Sequence, residues 1–327
     1  MRAALACSIV VMLAAPALAS AQRCEDDVLA EAAASVLMHG GDPTGAELLA
    51  AARDAGSDAP TVHALAIHDG DEGRVGPWLE RLGERLRAPV VCGEARRDER
   101  WLVIAAPRAG RLVDEGNERF RIELGPGFAD PMVFVEDPHG NVERVEPFEG
   151  RADVPSDLQR PVRVQLVARG PDGPRPVAER RIGGEEDTRR RVSGDDEPLD
   201  ARIEALRTQA QVSPLRPHRV LASVAQAHAE AVCQARRAAH ELERGRDPRA
   251  RARERGIEAR HVGEVIARGA DVAGAFLALT RSPSHRSALV DRRFTDAGAG
   301  IATDDAGRAC VVVVLAAWPR LVVGASR

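Results

Sequence analysis

The side chains of this 327-residue chain best suited to nucleophilic, acid–base or metal chemistry are its nine histidines, five cysteines and fifty carboxylates. Their spacing excludes several familiar machines. His240-Glu241 starts like the H-E-x-x-H zinc-protease helix, but Arg244 stands where the second histidine is needed. No G-x-S-x-G nucleophile elbow occurs, so a serine triad lacks support. No C-x2-C pair is present to build a zinc cluster. His63 and His68, five apart beside a Gly-Asp-rich turn within Thr61–Asp69, read as surface residues, and His139 reads as solvent-exposed in a turn. His228 lies on an apolar helical stripe and is expected as a packed, hydrogen-bonded core histidine rather than a ligand.

The elements that must position such residues begin after a secretory signal over 1–21. Arg2 supplies its positive start, Leu5 to Ala15 its apolar core, and Ala17-Leu18-Ala19 or Ala19-Ser20-Ala21 its small-residue cleavage site. The core is shorter than the roughly 20 residues that span a bilayer, and no later segment qualifies. The mature chain is therefore expected outside the cytoplasm, periplasmic or secreted, with no transmembrane segment. Cleavage leaves Cys24, Cys92, Cys233 and Cys310, an even number that suggests disulfides in an oxidising compartment. Of the three pairings, Cys24–Cys92 with Cys233–Cys310 is favoured because each then stays within one part of the chain; free buried thiols are the alternative. All 46 basic residues are Arg and there is no Tyr, a bias that fits a GC-rich coding sequence better than a functional demand.

Residues 22–88 carry a helical pattern, with Val28, Ala32, Val36 and Leu37 on one face and Trp78, Leu79, Leu82 and Leu86 on another. Gly40-Gly41-Asp42-Pro43 breaks the first helix and Thr44 caps the next. Over 89–182 the pattern turns strand-like at Trp101–Ile104, Phe120–Leu124, Met132–Val135 and Val162–Val167. Turns at Gly125–Gly127, Asp137–Asn141 and Gly170–Pro174 separate such runs, so this region is expected as a small antiparallel β-sandwich, immunoglobulin-like in architecture. Residues 183–198 form a charged linker. From Glu197 onward 21 arginines face 15 acids, a net of +6, against −10 for the rest. Ordinary solvated helix faces account for the basic balance, with attraction to anionic lipid or wall polymer as the alternative. Aromatics do not interleave with the charge, so nucleic-acid binding is unsupported.

The last region, 199–327, places helices first and strands at the end. Ala201–Leu206 opens one helix; Arg219–Ala239 forms a longer one, with Val220, Leu221, Val224, His228 and Val232 inward and Cys233 at the edge. Asp247-Pro248 starts a further helix that Gly256 stops, and helical turns follow over 271–279 and 283–290. Phe294–Ala302 and Cys310–Ala317 are strands.

Here the sequence resembles the bacterial branch of the CAP superfamily, the fold of cysteine-rich secretory proteins, venom allergens and plant pathogenesis-related proteins. Ile203-Glu204-Ala205-Leu206-Arg207 is similar to its first-helix signature, and His228-Ala229 to the His-Ala pair of its second helix. His240 follows where the family has a histidine. Gly263-Glu264-Val265 matches Gly-Glu-Asn with Val for Asn, and Ser282-Pro283-Ser284-His285-Arg286 matches Ser-Pro-Gly-His-Arg. Phe294–Gly300 matches the strand that follows. The resemblance covers about 120 residues and implies an α/β fold: a C-terminal αβα sandwich, preceded by the helical segment and the β-sandwich-like domain.

It also implies a cleft where His240, Glu264 and His285 converge, with Ser282 at the place of a fourth residue, a Glu in eukaryotic members. Leu279 stands where a Trp often precedes the motif. Two imidazoles and a carboxylate could hold a divalent metal such as zinc, act as acid and base, or simply tie helix to sheet. The leading expectation is an exported, non-catalytic binding module for an envelope lipid, glycan or protein. The alternatives are a metal-assisted hydrolase using His240, Glu264 and His285, and a purely structural interaction module.

Overall fold

The computed structural model describes residues 24–40, 42–68, 71–184 and 197–319; the signal over 1–21 and most of the linker lie outside the described residues. The first unit is α/β. Helices α1 (Asp27–His39) and α2 (Gly45–Asp54) precede β1 (His63–Ile67), and α3 (Val75–Leu86) precedes β2 (Val90–Arg97) and β3 (Arg100–Pro107). Asp26 caps α1, and Thr44 with Glu47 forms a capping box on α2. The strands make an antiparallel sheet in the order β1-β3-β2. Period-two alternation along β3 sends Leu102, Ile104 and Ala106 to the α1/α2 side and Trp101, Val103 and Ala105 to the α3 side.

This corrects the boundary expected at 88/89. Val90–Arg97 and Trp101–Ile104 complete the sheet of the first unit instead of opening the sandwich. The reason is that α1, α2 and α3 each have an apolar face that needs a two-sided sheet to cover it. His63 is also corrected. It lies half-buried on β1, where burial and then Arg85 hold its pKa below the ordinary value; His68 is exposed as expected.

Seven antiparallel strands follow: β4 (Gly110–Asp114), β5 (Arg119–Leu124), β6 (Ala129–Glu136), β7 (Val142–Val145), β8 (Arg151–Asp153), β9 (Val162–Gly170) and β10 (Gly173–Ile182). They form sheets β4-β5-β8 and β10-β9-β6-β7 around one core that includes Leu112, Phe120, Val133, Val135, Val164 and Leu166. The sandwich expectation is met with three strands against four.

The C-terminal domain contains α4 (Leu199–Gln209), β11 (Arg216–Pro217), α5 (Arg219–Ala235), α6 (Pro248–Glu254), β12 (His261–Gly269), α7 (Val272–Arg281), α8 (Pro283–Leu289), β13 (Asp296–Thr303) and β14 (Ala309–Ala317). The sheet order is β11-β13-β14-β12. Every residue of β14 is buried, as a continuous apolar strand between two helical layers must be. Val311, Val313 and Leu315 face α4, α7 and α8; Val312, Val314 and Ala316 face α5 and α6. The result is the expected αβα sandwich. Two details differ from expectation. Helix α5 ends at Ala235, where Arg236 takes a left-handed cap, and Val220 is 36% exposed because it sits in the first turn, outside the stripe begun by Leu221.

Both favoured disulfides are present. Cys24–Cys92 ties the start of α1 to β2, and Cys233–Cys310 ties α5 to β14. Helix α5 lies so close to β13 that a Cβ on Gly300 would overlap the backbone of Ala225 and Gln226. Gly300→Ala is expected to lower stability by about 1–3 kcal/mol, the usual cost of overpacking, measured by denaturant unfolding. An unchanged midpoint would show that α5 does not pack on β13 this closely.

Candidate functional site

Glu264 sits on β12, and strand alternation aims its side chain at the α5/α6 layer while Val265 turns into the opposite core. The carboxylate has no exposed surface. A bare buried carboxylate is costly, so the fold must supply positive or donor groups. Three arrive from different elements. His240, five residues beyond α5, places Nδ1 2.9 Å from Oε1; Arg251 of α6 donates Nη2 to Oε2 at 2.5 Å; His228 of α5 lies 3.9 Å from Oε1. Arg251 also donates to the carbonyls of His240 and Arg246, fixing the loop that carries His240. Asp247 caps α6 and Pro248 occupies its first turn, which orients Arg251 inward.

Electrostatics follow from this packing. Burial alone would raise the Glu264 pKa, but the His240 hydrogen bond and the charges of His240, Arg251 and His228 hold it below its ordinary value. His228 is a core histidine as expected: its Nε2 is 2.9 Å from the Ala239 carbonyl, and burial lowers its pKa against the pull of Glu264.

His285, on α8, is half-buried as a residue, yet its Nδ1 is sealed from solvent and has no hydrogen-bond partner. Burial, then His240, push its pKa down to about 3. Ser282 donates its Oγ to Gln165 Oε1 at 3.0 Å, and the Ser284 amide donates to the same oxygen at 3.1 Å. Leu279 is fully buried in the core, filling the place of the family's Trp.

Thus the sequence-derived set is brought together in part. His240 and Glu264 touch directly, whereas His285 makes no hydrogen bond to either through Nδ1. Among the described residues no group of three or more His, Cys, Asp and Glu side chains is arranged to hold a metal ion. The Glu264 carboxylate has no exposed surface and is already neutralised by His240 and Arg251 without a metal. Arg251 was the residue missed by sequence reasoning. Its signal was indirect: a Glu on an otherwise apolar strand requires a cation from somewhere. Val265 in place of Asn leaves Glu264 oriented all the same, because Arg251 and His240 fix it.

Comparison with known proteins gives one family match, in the C-terminal region. Residues 201–316 match the model of the cysteine-rich secretory protein family, CAP, so the C-terminal region is a CAP domain. Among solved structures, an outer surface protein from Borrelia burgdorferi is 23% identical, covering 37% of this chain and 90% of that one, with a TM-score of 0.35. An extracellular protein containing an SCP domain from Bacillus anthracis is 14% identical, covering 64% and 67%, TM-score 0.33. A cysteine-rich secretory protein from Staphylococcus aureus is 12% identical, covering 74% and 92%, TM-score 0.29. A search of curated proteins finds no match.

The depressed His285 pKa sets a pH dependence. The unfolded chain takes up this proton near 6.5, the folded chain only near 3, so the unfolded state binds more protons in between. Stability contributed by the neutral ring is therefore full above 6.5 and lost as pH falls toward 3. His228 shifts in the same direction, and Glu264 adds a loss at the acid end. Unfolding midpoints are expected to fall steadily from pH 6.5 to 4, with a shallower slope in His285→Gln. Equal slopes in the two proteins would contradict this environment for His285.

Proposed function

We propose that the chain is an exported, non-catalytic binding protein whose CAP domain engages an envelope lipid, glycan or protein at the rim around His240, Ser282 and His285. The observation that carries this reading is the burial of Glu264. A general base must reach its substrate, and the Glu264 carboxylate has no exposed surface and is held between His240 and Arg251. The two disulfides fit an oxidising compartment. The signal pattern over 1–21 supports export. Among the described residues no helix is long and apolar enough to cross a membrane.

The test is a titration of the full chain against phospholipid vesicles, a fluorescent sterol and soluble cell-wall fragments. Saturable binding to one class, weakened about tenfold by His285→Ala, is the expected result. Failure of all three to bind either the full chain or its Asp172→Asn variant would overturn the reading.

The metal-assisted alternative has one observation in its favour, the unpartnered Nδ1 of His285. For a metal to reach Glu264, the packing that buries its carboxylate beside His240 and Arg251 would have to open. Metal analysis of the purified full chain and its melting temperature with added zinc decide the matter. The binding reading expects no stoichiometric metal and no shift; one equivalent of zinc, lost in His285→Ala, would favour the alternative.

A further inference from the structure

Two turns of the sandwich, both evident in the sequence as loops, press on the CAP domain at the residues just described. At the β9–β10 turn the Asp172 carbonyl accepts hydrogen bonds from the amides of His240 and Glu241, at 3.0 and 3.1 Å. Gly173 follows with φ +94°, and a Cβ there would stand 2.9 Å from the Cβ of His240. At the β6–β7 turn the Gly140 carbonyl accepts from Arg286 Nε at 2.9 Å, and a Cβ on Gly140 would lie 2.7 Å from the Arg286 Cζ. Between them Gln165, 2% exposed, takes up Ser282 and Ser284 through one oxygen. Glycine is required at both turns, for positive φ and for close approach.

We infer that the sandwich is an intramolecular lid on the CAP cleft: it docks over the His240–Ser282–His285 rim and must move away before a ligand can reach it. The chemistry of the contact makes it separable. Neither apolar core of the CAP domain contains a sandwich residue, and the sandwich core contains no CAP residue. The contacts described between the two are hydrogen bonds and ion pairs, including Arg286 with Glu136 at 3.5 Å. Buried ion pairs recover little beyond their desolvation cost, and polar interdomain contacts are the kind that open and close.

Asp172 is the clasp. Its carboxylate, 4% exposed, meets Arg87 of the first unit at 3.0 Å and Arg237 of the CAP domain at 3.5 Å. Arg175 of the sandwich feels the same carboxylate and is itself repelled by the other two guanidiniums. One anion thus holds three cations from three parts of the chain. Removing it leaves mutual repulsion across the seam. The lid also occupies five donors of the CAP domain with carbonyl oxygens, so a molecule that takes its place is favoured if it offers acceptors of its own.

The lid rests on the proposed binding site for its purpose, but its existence is tested without any ligand. The full chain and Asp172→Asn are treated with diethyl pyrocarbonate, and histidine modification is followed by peptide mass spectrometry. Exposed His68 and His261 serve as references. In the native chain His240 and His285 are expected to react at least about tenfold more slowly than the references, and Asp172→Asn to raise their rates about tenfold while the references stay constant. Arg237→Gln, which removes the partner of Asp172 on the CAP domain, should move the rates the same way and covers a first variant that fails to fold. Cleft histidines that react as fast as His68 in the native chain, or that respond to neither substitution, would overturn the lid. If the lid opens but neither protein binds lipid, sterol or wall fragments, the lid stands and the binding reading falls.

Discussion

Burying one carboxylate determines how the CAP domain is put together. Glu264 is carried to the α5/α6 layer by the alternation of β12, and once there it must be neutralised. Arg251 meets this need through α6, His240 through the loop after α5, and His228 from within α5. Each therefore fixes the place of its own element relative to the sheet. Removing one partner from such a group costs far more than the group contributes as a whole, because the remaining charge stays buried. Glu264 is thus held where it is by the needs of the fold alone.

The arginine-rich composition has a consequence at the level of the whole chain. Guanidinium groups reach carbonyls and carboxylates across boundaries that shorter cations could not satisfy with several donors at once. Arg207, 1% exposed, donates to the carbonyls of Ser213, Leu289 and Phe294 and so holds the turn after α4 against the approach to β13. Arg53 bonds Glu179 to join the first unit to the sandwich, while Arg286 and Arg237 join the sandwich to the CAP domain. The sandwich and the CAP domain keep separate apolar cores with a polar seam between them, whereas Ala88 of the first unit packs into the sandwich core. Separate cores across a charged seam are what the sandwich and the CAP domain need if they are to shift without unfolding.

Much of this was legible in the sequence where pattern and chemistry agree. Asp247-Pro248 announced α6, the all-apolar run Cys310–Ala317 announced a strand covered on both sides, and the ordered motifs located His240, Glu264 and His285. The disulfide partners followed from their positions along the chain. Reading failed where tertiary partners decide. Val90–Arg97 has strand character in either unit, and only the apolar faces of α1, α2 and α3 assign it to the first. His63 reads as a surface residue until β1 pairs with β3 and half-buries it. Arg251 is one of several arginines in a short stretch, and nothing local marks it as the one turned inward. Gln165 and Asp172 gain meaning only when the sandwich meets the CAP domain, a contact between residues more than 60 positions apart.

The Glu264–Arg251 pair is the contact on which the CAP domain depends most directly. A double-mutant cycle with Glu264→Gln and Arg251→Met, read by denaturant unfolding of the full chain, measures their coupling. Each single substitution is expected to destabilise, the double one by much less than their sum, with a coupling of about 0.5–3 kcal/mol. Additive effects would contradict it, showing that Glu264 does not depend on Arg251 and leaving the carboxylate free for chemistry.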